Sequence, residues 1–248
     1  MVMPVFNESD GVAEFVTEIF SSLEDRLETF VIVDDCSTDS TSRSLKNLVM
    51  QGIPIKLHFN QKNQGHGPST VKALSIGLLT EAQIIVAVDG DGQFFSEDIR
   101  GLVDLLESSD IDIVEGVRSN PQAVLYRRIV SQLTRVLVGK RCGVTPLDAN
   151  TPLRVYQRDV LVNLLSRLPE SPVTPNLIIS AKARASKLRI VEEPVKSRSR
   201  RGTHKGGSTW GSEVSRYIPT WKFLRFCVIA AVQWTSDSNL AKRLVRHR

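Results

Sequence analysis

Three short apolar runs in this chain each lead into carboxylates, and that recurrence limits the folds open to it. Val2 to Val5 is followed by Glu8, Phe30-Val-Ile-Val33 by Asp34 and Asp35, and Ile84-Ile-Val-Ala-Val88 by Asp89 and Asp91. Runs with no polar position need cover on both faces, as the strands of a parallel sheet between helices do. Longer segments with helical spacing separate them. Phe15, Ile19, Phe20, Leu23 and Leu27 predict a helix over 14–27 with Asp10 as its N-cap. Ser37 to Thr41 offers capping residues to a helix reaching Met50, and further helices are predicted over 69–79 and 97–106. Strands are predicted over 53–59 and 111–114. The alternation gives an α/β fold, a mostly parallel sheet flanked by helices.

With 248 residues, 41% hydrophobic and 24% charged, the chain has enough apolar material for a core and is neither disordered nor fibrous in composition. Cys36, Cys142 and Cys227 build no disulfide framework and have no zinc spacing, which fits a reducing compartment. The first residues lack the basic stretch and apolar run of a secretory signal. The longest apolar window, Phe223 to Trp234, is about 12 residues, short of a membrane span. Charge is divided unevenly. Residues 1–181 hold 16 Lys and Arg against 23 Asp and Glu, whereas residues 182–248 hold 16 against 4. A basic C-terminal quarter behind an acidic body is either a solvated tail or a surface for an anionic partner. No nucleic-acid motif accompanies it, so nucleic acid is not expected as a partner.

Ligands of open α/β sheets bind at the C-terminal strand ends, where these acids collect. A cluster of carboxylates repels a nucleotide unless a cation intervenes, and hard divalent ions take such oxygens together with substrate phosphates. Asp89-Gly-Asp-Gly-Gln93 is on its own also an ordinary turn, and Asp34-Asp-Cys-Ser-Thr-Asp39 also an ordinary turn and helix cap. Asn63-Gln-Gly-His-Gly67 lacks the Lys-Ser/Thr ending of a P-loop and the dinucleotide Gly pattern. His66 and His204 read as loop residues without metal-ligand spacing.

Four motifs in order carry a resemblance. Pro4-Val-Phe-Asn-Glu8, Val33-Asp-Asp-Cys-Ser-Thr-Asp-Ser-Thr41, Asn63-Gln-Gly-His-Gly67 and Asp89-Gly-Asp-Gly-Gln93 resemble glycosyltransferase family 2, with the GT-A (Rossmann-like) fold. The likeness covers roughly residues 1–200 and is closest to the dolichyl- or polyprenyl-phosphate sugar transferases. It implies a GT-A domain over 1–208 and a basic, amphipathic helical extension over 209–248. It further implies that Pro4, Phe6, Glu8, Val33, Asp35, Asp89 and Gly90 bind the nucleotide-sugar, and that Asp91 and Gln93 ligate Mg²⁺ or Mn²⁺. Arg118, Arg127 and Ser131 would receive the lipid phosphate, while Arg200, or Arg198 or Arg201 beside it, would close over the diphosphate. Cys36 stands where the family often has Gly. Thr151-Pro-Leu153 stands where the subgroup favours Ser-Gly-Phe.

The implied reaction is an inverting transfer from a UDP- or GDP-sugar to a polyprenyl phosphate, catalysed with Asp89, Asp91, Arg200 and Asp148 in the site. A phosphate acceptor is already ionised and needs no strong base. A family 2 transferase acting on a glycan or small-molecule hydroxyl would need one, and Asp148 is the candidate, although it reads equally as a turn cap. A catalytically silent, membrane-associated binding relative is a third reading. Trp210, Tyr217, Trp221, Phe223, Phe226 and Trp234 among Arg216, Lys222 and Arg225 suit a helix lying on a membrane surface. The same pattern also suits a helix packed on the catalytic domain or on a second copy in a homo-oligomer. With the lipid acceptor, the resemblance implies a peripheral protein on the cytoplasmic face of a membrane.

Overall fold

The structure, a computed structural model, describes residues 1–119, 125–201 and 221–246, without side chains at 119, 125–127 and 237–246. Its elements run β1 (Val2–Val5), α1 (Val12–Leu23), β2 (Phe30–Asp34), α2 (Thr41–Met50), β3 (Ile55–Phe59), α3 (His66–Gly77), β4 (Ile84–Ala87) and α4 (Ser96–Ser108). They continue β5 (Ile113–Ser119), α5 (Leu125–Cys142), β6 (Arg154–Gln157), α6 (Arg158–Leu165), α7 (Pro175–Ala185), β7 (Ile190–Lys196) and α8 (Trp221–Arg246). The sheet order is β3-β2-β1-β4-β6-β5-β7. β6 runs antiparallel to both its neighbours and the other pairs are parallel.

The apolar runs alternate into two cores. Met3, Val5, Phe30, Ile32, Val86 and Val88 face one side, with Phe15 and Ile19 of α1, Leu45 and Leu48 of α2, and Ile99 and Leu102 of α4. Val2, Val31, Val33, Ile85 and Ala87 face the other, with Ala73 and Leu74 of α3, Leu161 and Leu164 of α6, and Ile179 and Ala183 of α7. Each buried Val, Leu, Ile, Phe or Met side chain contributes about 1.5–3 kcal/mol of transfer free energy, so the period of two along β1, β2 and β4 fixes their register.

Several details differ from the sequence expectations. α1 covers Val12–Leu23 rather than 14–27, because the chain turns after Leu23, whose carbonyl accepts the N–H groups of Arg26 and Leu27. Asp10 does not cap it: Gly11 holds that position without a side-chain cap, and the Glu8 carbonyl accepts the N–H groups of Gly11 and Val12. α3 begins at His66 rather than 69, and β5 extends to Ser119 because β7 pairs with it along its whole length.

α8 lies against the body through one face. Trp234 packs with Val138, Ala149, Leu177 and Ala181, and the Arg141 guanidinium stacks over its ring at 4.9 Å. Trp221, Leu224, Val228 and Val232 of the same helix are exposed. Among the described residues, no helix is long and apolar enough to cross a membrane.

Candidate active site

Strand order reverses at β1, whose neighbours are β2 and β4, and the carboxyl ends of β1 and β4 meet at the crevice where open α/β sheets bind ligands. The topology brings two more segments to that end of the sheet. β5 and β7 are parallel, with Arg118 opposite Val195, so both deliver their C-terminal ends there. β6 is antiparallel, so the segment entering it, with Asp148, arrives at the same edge.

The turn after β4 is shaped by backbone. The Gly90 N–H donates to the Pro4 carbonyl at 3.3 Å, and a Cβ on Gly90 would lie 3.2 Å from that oxygen and collide with the Val5 side chain. Gly92 has φ +69°, which suits glycine. Asp89 and Asp91 are thereby held on either side of a residue that must be small. The Asp91 carboxylate accepts the Gln93 N–H at 3.2 Å and the Arg200 Nε–H at 3.0 Å. An Arg200 Nη stands 3.7 Å from the Glu8 carboxylate, and His66 Nε2 stands 3.5 Å from Asp89. Across the crevice, Arg118 Nε donates to Asp148 at 2.9 Å, and the second Asp148 oxygen accepts the Asn150 N–H at 3.1 Å.

The electrostatics mark an excess of carboxylate. Burial pushes Glu8 up to about 8, against the pull of Arg200 and with help from Asp91 and Asp89. Burial also raises Asp89, opposed by His66, and its neighbour Asp91 adds to the rise. Burial alone would lower Arg200 and Arg118, but Asp91 and Glu8 outweigh it at the first and Asp148 at the second, so both guanidinium groups are held more firmly charged. An all-oxygen set crowded enough to resist ionisation is the donor chemistry that a hard divalent cation fits. Among the described residues, no three His, Cys, Asp or Glu side chains form a metal cage by themselves.

The structure thus brings Glu8, Asp89, Asp91, Arg118, Asp148 and Arg200 together, with Phe6 and Gln93 at the rim and half-buried. Other expected site residues are placed differently. Val33 is fully buried in β2 and packs toward α3, so its side chain is unavailable to a nucleotide. Pro4 is buried in β1 and contributes its carbonyl to the Gly90 N–H. The Asp35 carboxylate is buried too, and accepts the N–H groups of Gln64 and Gly65 and the Asn60 amide, each at 2.8 Å. Three donors converge on it, and it braces the 61–65 loop rather than facing the crevice. Asp34 and Asp39 are local caps: Asp34 accepts from Ser37 N–H and the Ser42 hydroxyl, and Asp39 from Thr41 and Ser9 N–H. Cys36 has φ +64°, the left-handed region that explains why Gly is common there. Ser131 is exposed on α5, while the side chain of Arg127 and the residues His204, Trp210, Arg216 and Tyr217 lie outside the described residues.

Sequence reasoning missed two groups. His66 opens α3 beside Asp89 instead of sitting in a free loop. Glu18, on the α1 face toward α4, ties down the segment after β7. The i, i+4 spacing of Glu14 and Glu18 was the available signal, but their arginine partners lie 180 or more residues away.

Residues 1–163 match the profile of "Glycosyl transferase family 2". The chain is 28% identical over 166 residues to a dodecaprenyl-phosphate galacturonate synthase of Rhizobium johnstonii, covering 65% of this chain and 48% of that protein. It is 28% identical over 180 residues to an undecaprenyl-phosphate 4-deoxy-4-formamido-L-arabinose transferase of Pseudomonas syringae pv. syringae, covering 71% and 52%. The chain spans about half the length of these relatives. Among solved structures, glucosyl-3-phosphoglycerate synthase from Mycobacterium tuberculosis in complex with phosphoglyceric acid superposes with a TM-score of 0.58 at 20% identity, over 82% of this chain and 71% of that one. A mannosyltransferase from Pyrobaculum calidifontis in complex with GDP-Man and Mn²⁺ gives 0.58 at 19% identity, over 84% and 58%. At such identities the likeness is one of fold, and that fold is GT-A.

Proposed function

This chain belongs to glycosyltransferase family 2, and on that premise we propose that it moves a sugar, with inversion, from a UDP- or GDP-sugar to a polyprenyl phosphate. The observation that carries the reading is the arrangement of charge: buried Asp91 and half-buried Glu8 and Asp89 at the β1 and β4 ends, flanked by Arg200 on one side and Arg118 on the other. One guanidinium serves the departing diphosphate and the other the incoming phosphate.

Asp91 and Gln93 would hold Mg²⁺ or Mn²⁺, which when bound supplies Lewis-acid neutralisation of the leaving diphosphate. The chain's own residues do the rest. Arg200, against Asp91 and Glu8, is within reach of phosphate oxygens in that crevice, and a planar guanidinium suits two of them at once. Asp89 faces the sugar-bearing end, with His66 behind it. Phe6 and Glu8 border the nucleoside. Arg118 holds the acceptor phosphate, whose charged oxygen attacks the anomeric carbon in line with the departing diphosphate. No proton has to be removed from that nucleophile at neutral pH. Asp148 is engaged by Arg118 and by the Asn150 N–H, the environment of an orienting carboxylate rather than a free base. The two relatives named for prenyl phosphates support the acceptor class.

The catalytic unit takes in residues 1–208 and α8 belongs to a basic extension over 209–248. A membrane surface is the fitting partner for its exposed Trp221, Leu224, Val228 and Val232, which lie among Lys222 and Arg225. On this reading the protein is peripheral, on the cytoplasmic face where the nucleotide-sugar is available.

The test is transfer of radiolabelled sugar from a panel of UDP- and GDP-sugars to undecaprenyl phosphate in detergent, with Mn²⁺ or with EDTA. One donor should label the lipid fraction and EDTA should abolish it. Label appearing in no lipid with any donor refutes the acceptor, and EDTA-insensitive transfer refutes the metal.

A further inference from the structure

The segment that leaves β7 is strapped across the turn after β4. Ser197 bridges Phe94, the Arg198 N–H donates to the Gln93 carbonyl at 2.9 Å, and the Arg201 N–H donates to the Asp91 carbonyl at 3.1 Å. Arg200 lies between these two anchor points, with Nε on the Asp91 carboxylate. Beside these backbone bonds, both arginines that flank Arg200 meet one side chain on α1, and Arg201 also reaches Glu14 at 3.2 Å. Glu18 accepts Arg198 Nη2 on both oxygens, at 3.0 and 2.7 Å, and Arg201 Nη2 on one of them. Its Oε1 also accepts the Ser96 N–H at 3.1 Å, where α4 begins without a side-chain cap of its own. Arg198 is further held by the Gly92 and Phe94 carbonyls and by the Phe95 ring at 4.5 Å. The turn leaves room for the strap: a Cβ on Gly92 would lie 2.9 Å from the Arg201 stem.

From this geometry we infer that Glu18 is a positioning residue, which clamps Arg198 and Arg201 and so fixes Arg200 over the crevice. Glu18 touches no reacting atom. Three cations compete for a compact acidic site, and only Arg200 is wanted there. By drawing its two neighbours toward α1, Glu18 leaves Asp91 and Glu8 to Arg200. Charge-assisted bonds of this kind are roughly twice as strong as neutral ones, and two guanidiniums on one carboxylate make the clamp cooperative. Glu18 is held below the usual carboxylate range although burial opposes this, chiefly by Arg198. The consequence for diphosphate binding rests on the transferase reading; the clamp itself does not.

Two measurements separate the two. Hydrogen exchange of the 197–201 segment is compared in wild type and in Glu18→Gln, which keeps an acceptor for the Ser96 N–H but loses the charge. The Arg198 and Arg201 amides should exchange about 10-fold faster in the variant, with α4 unchanged. Unchanged exchange in the strap overturns the inference, and so does acceleration that spreads equally through α4, the mark of a helix cap alone. Calorimetric titration with UDP and with GDP, each with Mn²⁺, then compares wild type, Glu18→Gln, Arg200→Gln and the double variant. Glu18→Gln should weaken the nucleotide that binds by about 10-fold, and the double variant should bind no more weakly than Arg200→Gln. Losses that multiply would overturn Glu18's action through Arg200. Should wild type bind neither nucleotide, the transferase reading falls and the exchange result alone decides the clamp.

Discussion

Replacing Asp148 separates the two acceptor chemistries. Its side chain is only 12% exposed, and its carboxylate is bonded at 2.9 Å to Arg118 Nε and at 3.1 Å to the Asn150 N–H. A hydrogen bond to a charged group contributes about 1.5–3 kcal/mol net, and because the Arg118 side chain is about one-third exposed the lower value applies. A loss of about 1.5 kcal/mol is roughly 10-fold in an equilibrium constant. If Asp148 orients Arg118 toward an acceptor phosphate, Asp148→Ala should raise the acceptor KM by about 10-fold and change kcat little. Asp148→Asn, which keeps one acceptor oxygen, should fall between the alanine variant and wild type. A general base behaves otherwise: its loss costs about 10²–10⁴ in kcat, and asparagine is then as damaging as alanine. The assay is initial-rate transfer at saturating donor with the lipid phosphate varied, for Asp148→Ala, Asp148→Asn, Arg118→Ala and the double variant. In the double variant the Asp148 change should add nothing to the Arg118 loss. A kcat loss of 100-fold in Asp148→Asn at unchanged KM would refute the reasoning and restore the hydroxyl acceptor.

Glu115 sits fully buried between Arg184, at 2.8 Å, and Arg154, at 3.4 Å, so Glu115→Ala takes the facing carboxylate from buried Arg154 and leaves Arg184 with Glu192 at 3.2 Å. Such a break costs about 3–5 kcal/mol, and a thermal melt should fall by roughly 10 °C; a shift under about 2 °C would contradict the pairing. Glu8, raised to about 8 in the fold, binds its proton more tightly folded than unfolded, so its contribution to stability is complete below about 4.5 and is lost as pH rises through about 8. The stability of metal-free wild type relative to Glu8→Gln should therefore decline over that window by up to about 1.4 kcal/mol per pH unit, and parallel melting curves would contradict the shift. Gly90→Ala should cost about 1–3 kcal/mol and raise the donor KM, because the new methyl meets Val5 and the Pro4 carbonyl; donor titration and a melt check both effects.

The sheet was legible because its strands state their own environment. Phe30-Val-Ile-Val33 and Ile84-Ile-Val-Ala-Val88 have no polar position to turn outward, so they had to lie inside a covered sheet, and the residue after each had to be where water and ligands begin. What such a pattern does not reveal is which carboxylate at a strand end faces the crevice. Asp34, Asp35 and Asp39 occupy the same kind of position as Asp89 and Asp91, yet Asp34 and Asp39 take the nearby N–H groups of Ser37 and Thr41 as turn and cap residues do, and Asp35 takes those of Gln64 and Gly65, donors set by the path of a distant loop. The antiparallel entry of β6, which carries Asp148 to Arg118, likewise follows from sheet order rather than from any residue near it.

The strap after β7 shows the same limit from the other side. Arg198, Arg200 and Arg201 read in sequence as interchangeable members of a basic loop, any of which would suit a diphosphate. In the fold they are not interchangeable, since Glu18 and the Phe95 ring claim Arg198, Glu14 and Glu18 claim Arg201, and Asp91 and Glu8 face Arg200. The choice is made by acids on α1 and in the turns after β1 and β4, more than 100 residues away, through the pairing of β7 with β5 that brings the strap to them. A charge count over residues 182–248 finds the excess of arginine; only the partners decide which one is left over the crevice.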